Sequence, residues 1–92
     1  MESNFFINEK PVRTLVALAD KEKTWYASLL AKEVDCTYAH MVKVLDEFAA
    51  GGLVVFDREG RIKLVRLTDR GEDLAHEFDG VLRKMDKNLL KE

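Results

Sequence analysis

Leu30-Ala31-Lys32-Glu33-Val34-Asp35-Cys36-Thr37-Tyr38-Ala39-His40-Met41-Val42-Lys43-Val44-Leu45 is the stretch on which the fold turns. Its first part completes a helix of about two turns over 27–34, with Leu29, Leu30 and Val34 on one side. Asp35-Cys36 breaks that helix. Thr37 then suits an N-cap, because its hydroxyl can accept from the unpartnered amides of a new first turn. The helix it opens runs to about Ala50, with Met41, Val44 or Leu45, and Phe48 inward, and ends at Gly51-Gly52. The stretch therefore reads helix, tight break, helix.

Upstream, Lys10-Pro11-Val12-Arg13 starts a helical pattern whose apolar positions Val12, Leu15, Val16, Leu18 and Ala19 recur every three or four residues, with Pro11 suited to a first helical position. It ends in the charged turn Asp20-Lys21-Glu22-Lys23. Thr24-Trp25-Tyr26 is β-prone, and Trp25 is expected to pack under a small sheet that this short strand closes. Downstream of the glycines the period changes to two. Leu53–Asp57 and Arg61–Leu67, joined by Arg58-Glu59-Gly60, read as a β-hairpin, with Ile62, Leu64 and, after one irregularity, Leu67 inward and Arg61 and Lys63 outward. A last helix over roughly 69–91, about 35 Å long, follows, with Asp69 and Glu72 spaced as a capping box.

Length and composition exclude much. The 92 residues are enough for one domain, with an N-terminal portion over 8–68 and the last helix over 69–91, and too few for a deep catalytic cavity. One cysteine permits no internal disulfide, and no four-ligand cysteine and histidine set exists for a structural zinc. Apolar runs fall far short of the roughly 20 residues that span a bilayer, and Met1-Glu2-Ser3-Asn4 lacks the basic region of a signal peptide. A soluble, cytoplasmic protein is expected, with no cofactor. Catalysis is not expected either: there is no glycine-rich phosphate loop and no nucleophile set beside a base and an orienting group. The net charge of −2 weighs against a nucleic-acid partner, yet the segment 53–68 carries four basic and two acidic residues and alone is net positive.

The order of elements is that of a winged helix-turn-helix, an α+β fold with a three-helix core, a β-hairpin wing and here a long C-terminal helix. Residues 30–45 resemble the "L-A-K-E-(apolar)-x-x-(S/T)-x-x-x-(apolar)-x-(K/R)-x-L" stretch of small prokaryotic regulators. Phe48-Ala49-Ala50-Gly51-Gly52-Leu53-Val54 resembles their entry to the wing, and Leu67-Thr68-Asp69-Arg70-Gly71-Glu72 their "L-T-x-x-G" exit. Over roughly 12–75 the chain is thus similar to MarR-like and small archaeal winged-helix transcriptional regulators. The resemblance implies double-stranded DNA as partner, with the helix over 37–50 in the major groove and the hairpin over 53–67 on the backbone.

Thr37, Tyr38, Ala39, His40 and Lys43 fall on positions at which that family contacts DNA. Tyr38 and His40 can hydrogen-bond base edges, Lys43 a phosphate or guanine, and Ala39 and Val42 can meet thymine methyls. The alternative is an ordinary solvated helix face with packing residues beside it. Arg58, Arg61 and Lys63 near the hairpin tip suit phosphate contacts, weakened by Glu59, or else form a charged edge that resists aggregation. Arg66 reads as structural. Cys36 and His40, four apart with His76 distant, do not make a metal site, and Cys36 would serve as a redox switch only with an exposed thiol of lowered pKa.

The last helix carries Leu74, Phe78, Val81, Leu82, Met85 and Leu89 at coiled-coil-like spacing, beyond what a domain this small needs for its core. With Phe5 and Phe6 they are read as a homodimer surface, which sets two recognition helices on a two-fold axis. A helix folded back on its own core is the other possibility. In function, the competing class is a winged-helix protein-interaction module without DNA binding, supported by the acidic total and by the single lysine on the outward face of the third helix. An architectural chromatin protein would need a stronger positive balance. No polar cluster marks a ligand pocket.

Overall fold

Four helices and three strands follow one another in the order α1 (Glu9–Leu18), β1 (Trp25–Tyr26), α2 (Ala27–Val34), α3 (Tyr38–Ala50), β2 (Val54–Glu59), β3 (Ile62–Leu67) and α4 (Asp69–Leu89). This is a computed structural model, and it describes residues 9–89, with side chains through 84. Phe5 and Phe6 therefore lie outside the described residues, as do the side chains of Met85 and Leu89. No helix among the described residues is long and apolar enough to cross a membrane.

Each helix buries the face its apolar spacing marks out. α1 turns Val12, Thr14, Leu15 and Leu18 inward, α2 Leu30, Ala31 and Val34, and α3 Met41, both Val44 and Leu45, and Phe48. α1 begins earlier than its sequence pattern suggests, so Pro11 stands third rather than first; it still falls within the first turn, where its missing N–H costs no bond. Thr14 is fully buried, and its hydroxyl donates 2.7 Å to the Lys10 carbonyl, so the core holds no orphaned polar atom there.

The helix-turn-helix corner is built at Asp35. Its φ of 59° and ψ of 61° are left-handed, and this lets the Cys36 N–H reach back 2.9 Å to the Ala31 carbonyl and close α2. Thr37 caps α3 by accepting from the His40 N–H at 3.1 Å. Because glycine adopts the left-handed conformation without a Cβ penalty, Asp35→Gly is expected to stabilise the fold by about 0.5–1 kcal/mol. A higher urea midpoint at unchanged slope is the readout, and Asp35→Val should move it the other way.

The three strands form an antiparallel sheet in the order β1-β3-β2, with Trp25 opposite Val65 and Phe56 opposite Val65 from the other side. Trp25 is buried beneath it, and its indole N–H donates 3.1 Å to the Asp20 carbonyl. Glu59 pairs with Ile62, so the turn is Gly60-Arg61 rather than Arg58-Glu59-Gly60, with Gly60 at φ 64° in the first central position. Register then runs unbroken from Glu59↔Ile62 to Val54↔Leu67. This corrects the expected alternation of β3. Val65 and Leu67 face the core, Leu64 is half-buried on the opposite face, and Ile62 is 49% exposed. Lys63 shares the inner face, its ammonium 4.1 Å from the Phe56 ring centroid.

The start of α4 differs from the expected capping box. Thr68, not Asp69, is the cap: its hydroxyl accepts from the Gly71 N–H at 3.0 Å and donates to the Gly52 carbonyl at 2.6 Å. The Thr68 N–H meanwhile donates to the Leu53 carbonyl at 2.9 Å. One threonine thus ties the end of the hairpin to its beginning and starts the helix.

Candidate nucleic-acid interface

Of the 13 residues of α3, the stripe Ala39, Lys43, Asp46 and Ala50 points straight away from the core, since these positions lie opposite Met41, Val44, Leu45 and Phe48 on a helix of 3.6 residues per turn. Thr37, Tyr38, Ala39, His40 and Lys43 are all exposed, Tyr38 at 60%. They occupy the start of α3, where the Tyr38 and Ala39 amides have no partner within the helix and the helix dipole favours an anion. Tyr38, Val42 and Asp46, each four residues on from the last, run along the flank toward the wing.

Between that flank and the hairpin lies an open groove of about 380 Å³, lined by Tyr26, Ser28, Tyr38, Val42, Asp46, Arg61 and Lys63 among others. Tyr38, Arg61 and Lys63 are therefore brought together around one concavity. Ala39, His40 and Lys43 lie outside it on the outward face of the same helix, and Arg58 stands exposed on β2. Asp46, Tyr26 and Ser28 were not among the residues expected at the site. For Asp46 the signal was present, since its spacing from Tyr38 is two helical turns; Tyr26 and Ser28 reach the groove only through the pairing of β1 with β3.

The charges of the wing are arranged unequally. Arg66 is engaged by Asp57 at 2.9 Å, and that hydrogen bond and charge raise the guanidinium pKa. Arg58, Arg61 and Lys63 make no ion pair among the described residues. Arg58 and Lys63 moreover stand directly opposite each other across β2 and β3. Like charges so placed repel, which costs the free protein a fraction of a kcal/mol, of the order of ~0.5, and is relieved by an anion bridging them.

Cys36 is half-buried, and burial pushes its thiol pKa up against the opposing pull of Lys10, with Asp35 adding to the rise. A thiol held protonated is a poor redox centre. Among the described residues no group of three or more histidine, cysteine or acidic side chains is placed to hold a metal. On α4, Leu74 and Phe78 pack against the chain's own core, while Val81 is 51% exposed and Leu82 half-buried. The seam read from the sequence is thus divided, its proximal part used within the domain.

No family model matches the chain. A curated protein of Archaeoglobus fulgidus, described only as uncharacterized, is 25% identical over 63 residues, 68% of this chain and 66% of that protein. A crystal structure of an Archaeoglobus fulgidus chain superposes with a TM-score of 0.79 at 21% identity, covering 92% of this chain and 98% of that one. The crystal structure of a MarR family transcriptional regulator from Silicibacter pomeroyi superposes with a TM-score of 0.79 at 30% identity, covering 95% of this chain. The chain spans 63% of the length of that regulator and 66% of the curated relative. The fold is a MarR-like winged helix.

Proposed function

We propose that the protein binds double-stranded DNA sequence-specifically, as a homodimeric transcriptional regulator, with α3 in the major groove and the β2–β3 wing on the sugar-phosphate backbone. The observation that carries this reading is the trio Arg58, Arg61 and Lys63, left without carboxylate partners beside the exposed N-terminal half of a capped helix. In this docking mode Tyr38, His40 and Lys43 reach base edges, Thr37 and the first-turn amides meet a phosphate, and the wing cations fix register on the neighbouring backbone. Val81 and Leu82 on α4, continued toward Met85 and Leu89, supply the surface that pairs two copies, joined by Phe5 and Phe6. A two-fold pair reads an inverted repeat.

The acidic residues Asp46 and Glu47 on α3 favour a second reading, a winged-helix module whose partner is a protein. Titration of a random duplex pool with wild-type protein at low and at moderate salt separates the two. Binding that enriches an inverted repeat and weakens steeply with salt is expected, because several phosphate contacts release several counterions. Val81→Glu should leave the fold intact, give a monomer by sedimentation equilibrium, and reduce affinity for the repeat toward that of one half-site. Lack of duplex binding by folded wild type at low salt would turn the reading to the protein partner.

A further inference from the structure

Asp46 is the one acidic side chain among the described residues lining the α3–wing groove, and phosphate attraction leaves it without a task. It lies on the outward stripe of α3, one turn beyond Val42 and two beyond Tyr38, and lines the groove with Arg61 and Lys63. No side-chain hydrogen bond or ion pair engages it among the described residues, so it is not there to hold the fold. Against phosphates a bare carboxylate is a cost for every DNA sequence, since it takes back part of what the wing cations contribute. That cost is recovered only where the carboxylate meets a hydrogen-bond donor.

A carboxylate is an acceptor only. In the major groove the donors are the N4 amino group of cytosine and the N6 amino group of adenine, and adenine sets its amino group beside the N7 acceptor, which repels a carboxylate. Cytosine is thus the base that suits Asp46. Of its neighbours on the exposed stripe, Ala39 and Ala50 are apolar, and Lys43, one turn before it, is a donor suited to the O6 and N7 of the guanine paired with that cytosine.

We infer that Asp46 determines specificity, accepting a hydrogen bond from the N4 amino group of a cytosine in each half-site while its charge suppresses binding to unrelated DNA. The inference rests on the double-stranded DNA reading above. Specificity is a difference of affinities, and a group that penalises every wrong sequence raises that difference as surely as one that rewards the right one.

Full-length wild type, Asp46→Ala and Asp46→Asn test this by selection from a random duplex pool. Titration then follows on the selected duplex, on its single-position variants and on unselected duplex at fixed salt. Asp46 is exposed, so matched thermal melts are expected for the three proteins. Asp46→Ala should tighten binding to unselected duplex by about threefold to tenfold. It should also weaken the preference for cytosine at one position of each half-site by about tenfold. Asp46→Asn should move that preference toward adenine, whose N6 and N7 pair with an amide. Equal tightening on every duplex by both variants, with base preferences unchanged, would overturn the inference and leave Asp46 a simple repulsive charge. Failure of wild type itself to bind any duplex would instead strike the DNA reading, and the inference with it.

Discussion

Gly71→Ala is expected to lower the melting temperature by about 12 °C or more. A Cβ at this position would stand 2.1 Å from the Leu53 carbonyl oxygen and 3.0 Å from both its carbon and Leu67 Cδ2. Side chains can swing away from such an overlap, but this neighbour is backbone. The Leu53 carbonyl is held by the Thr68 N–H at 2.9 Å, and the Leu53 N–H by the Phe48 carbonyl at 2.9 Å, so neither side of the residue is free to retreat. Relief would require α4 to lift from the hairpin, breaking the Thr68 bonds to Gly52 and Gly71 as it goes. Overpacking of this kind costs about 3 kcal/mol or more, a large part of the ~5–15 kcal/mol that a domain of this size commands. At about 4 °C per kcal/mol that becomes the stated shift. Gly80, in the same helix, has nothing within 4 Å of its Cβ position. Gly80→Ala should therefore raise stability by up to about 1 kcal/mol, through helix propensity alone. Opposite signs for the same substitution nine residues apart in one helix would assign the effect at Gly71 to contact; a similar loss at both would refute it.

The same corner shows what a sequence exposes and what it hides. The helix-turn-helix was legible because three local signals agree: the apolar period of α2 and α3, the break at Asp35-Cys36, and the cap at Thr37. The third strand was legible too, since Trp25 and Tyr26 are β-prone and the chain is too short to leave a tryptophan uncovered. Capping of α4 was misread by one residue because Thr68 and Asp69 are both good caps, and the choice belongs to a partner 16 residues away, the Gly52 carbonyl that only the threonine hydroxyl can satisfy as donor. The hairpin erred for a related reason. Moving the turn from Arg58-Glu59-Gly60 to Gly60-Arg61 changes which face each β3 side chain takes, and Ile62 and Leu64 look as apolar as Val65 and Leu67. Of the candidate site, the exposure of the first turns of α3 and of the wing cations is legible in the sequence, while the groove between them depends on strand pairing that no local pattern encodes.

Replacing Arg58, Arg61 and Lys63 together by alanine is expected to weaken duplex binding about a hundredfold at moderate salt and to flatten the slope of log affinity against log salt by about 0.9 per lost phosphate contact, nearly three in all. The fold should be almost indifferent. Arg58 and Lys63 repel each other across the strands, so their removal relieves the hairpin, while loss of the Lys63 ammonium from the Phe56 ring takes back a similar amount, about 0.5–1 kcal/mol at an exposed site. Arg66→Ala serves as the internal comparison. It removes one positive charge from the same hairpin, but a charge already engaged by Asp57, and what it leaves is an unpaired carboxylate on the opposite face of β2. Its salt slope should change by less than that of any one of the three. If the slope fell equally for Arg66→Ala and for each wing cation alone, net charge and not placement would govern binding, and the wing would not be touching the backbone. If the triple variant kept both affinity and slope, the cations would be a solvated edge. Their mutual repulsion would then be tolerated with no anion to relieve it, and duplex binding would rest on α3 without the wing.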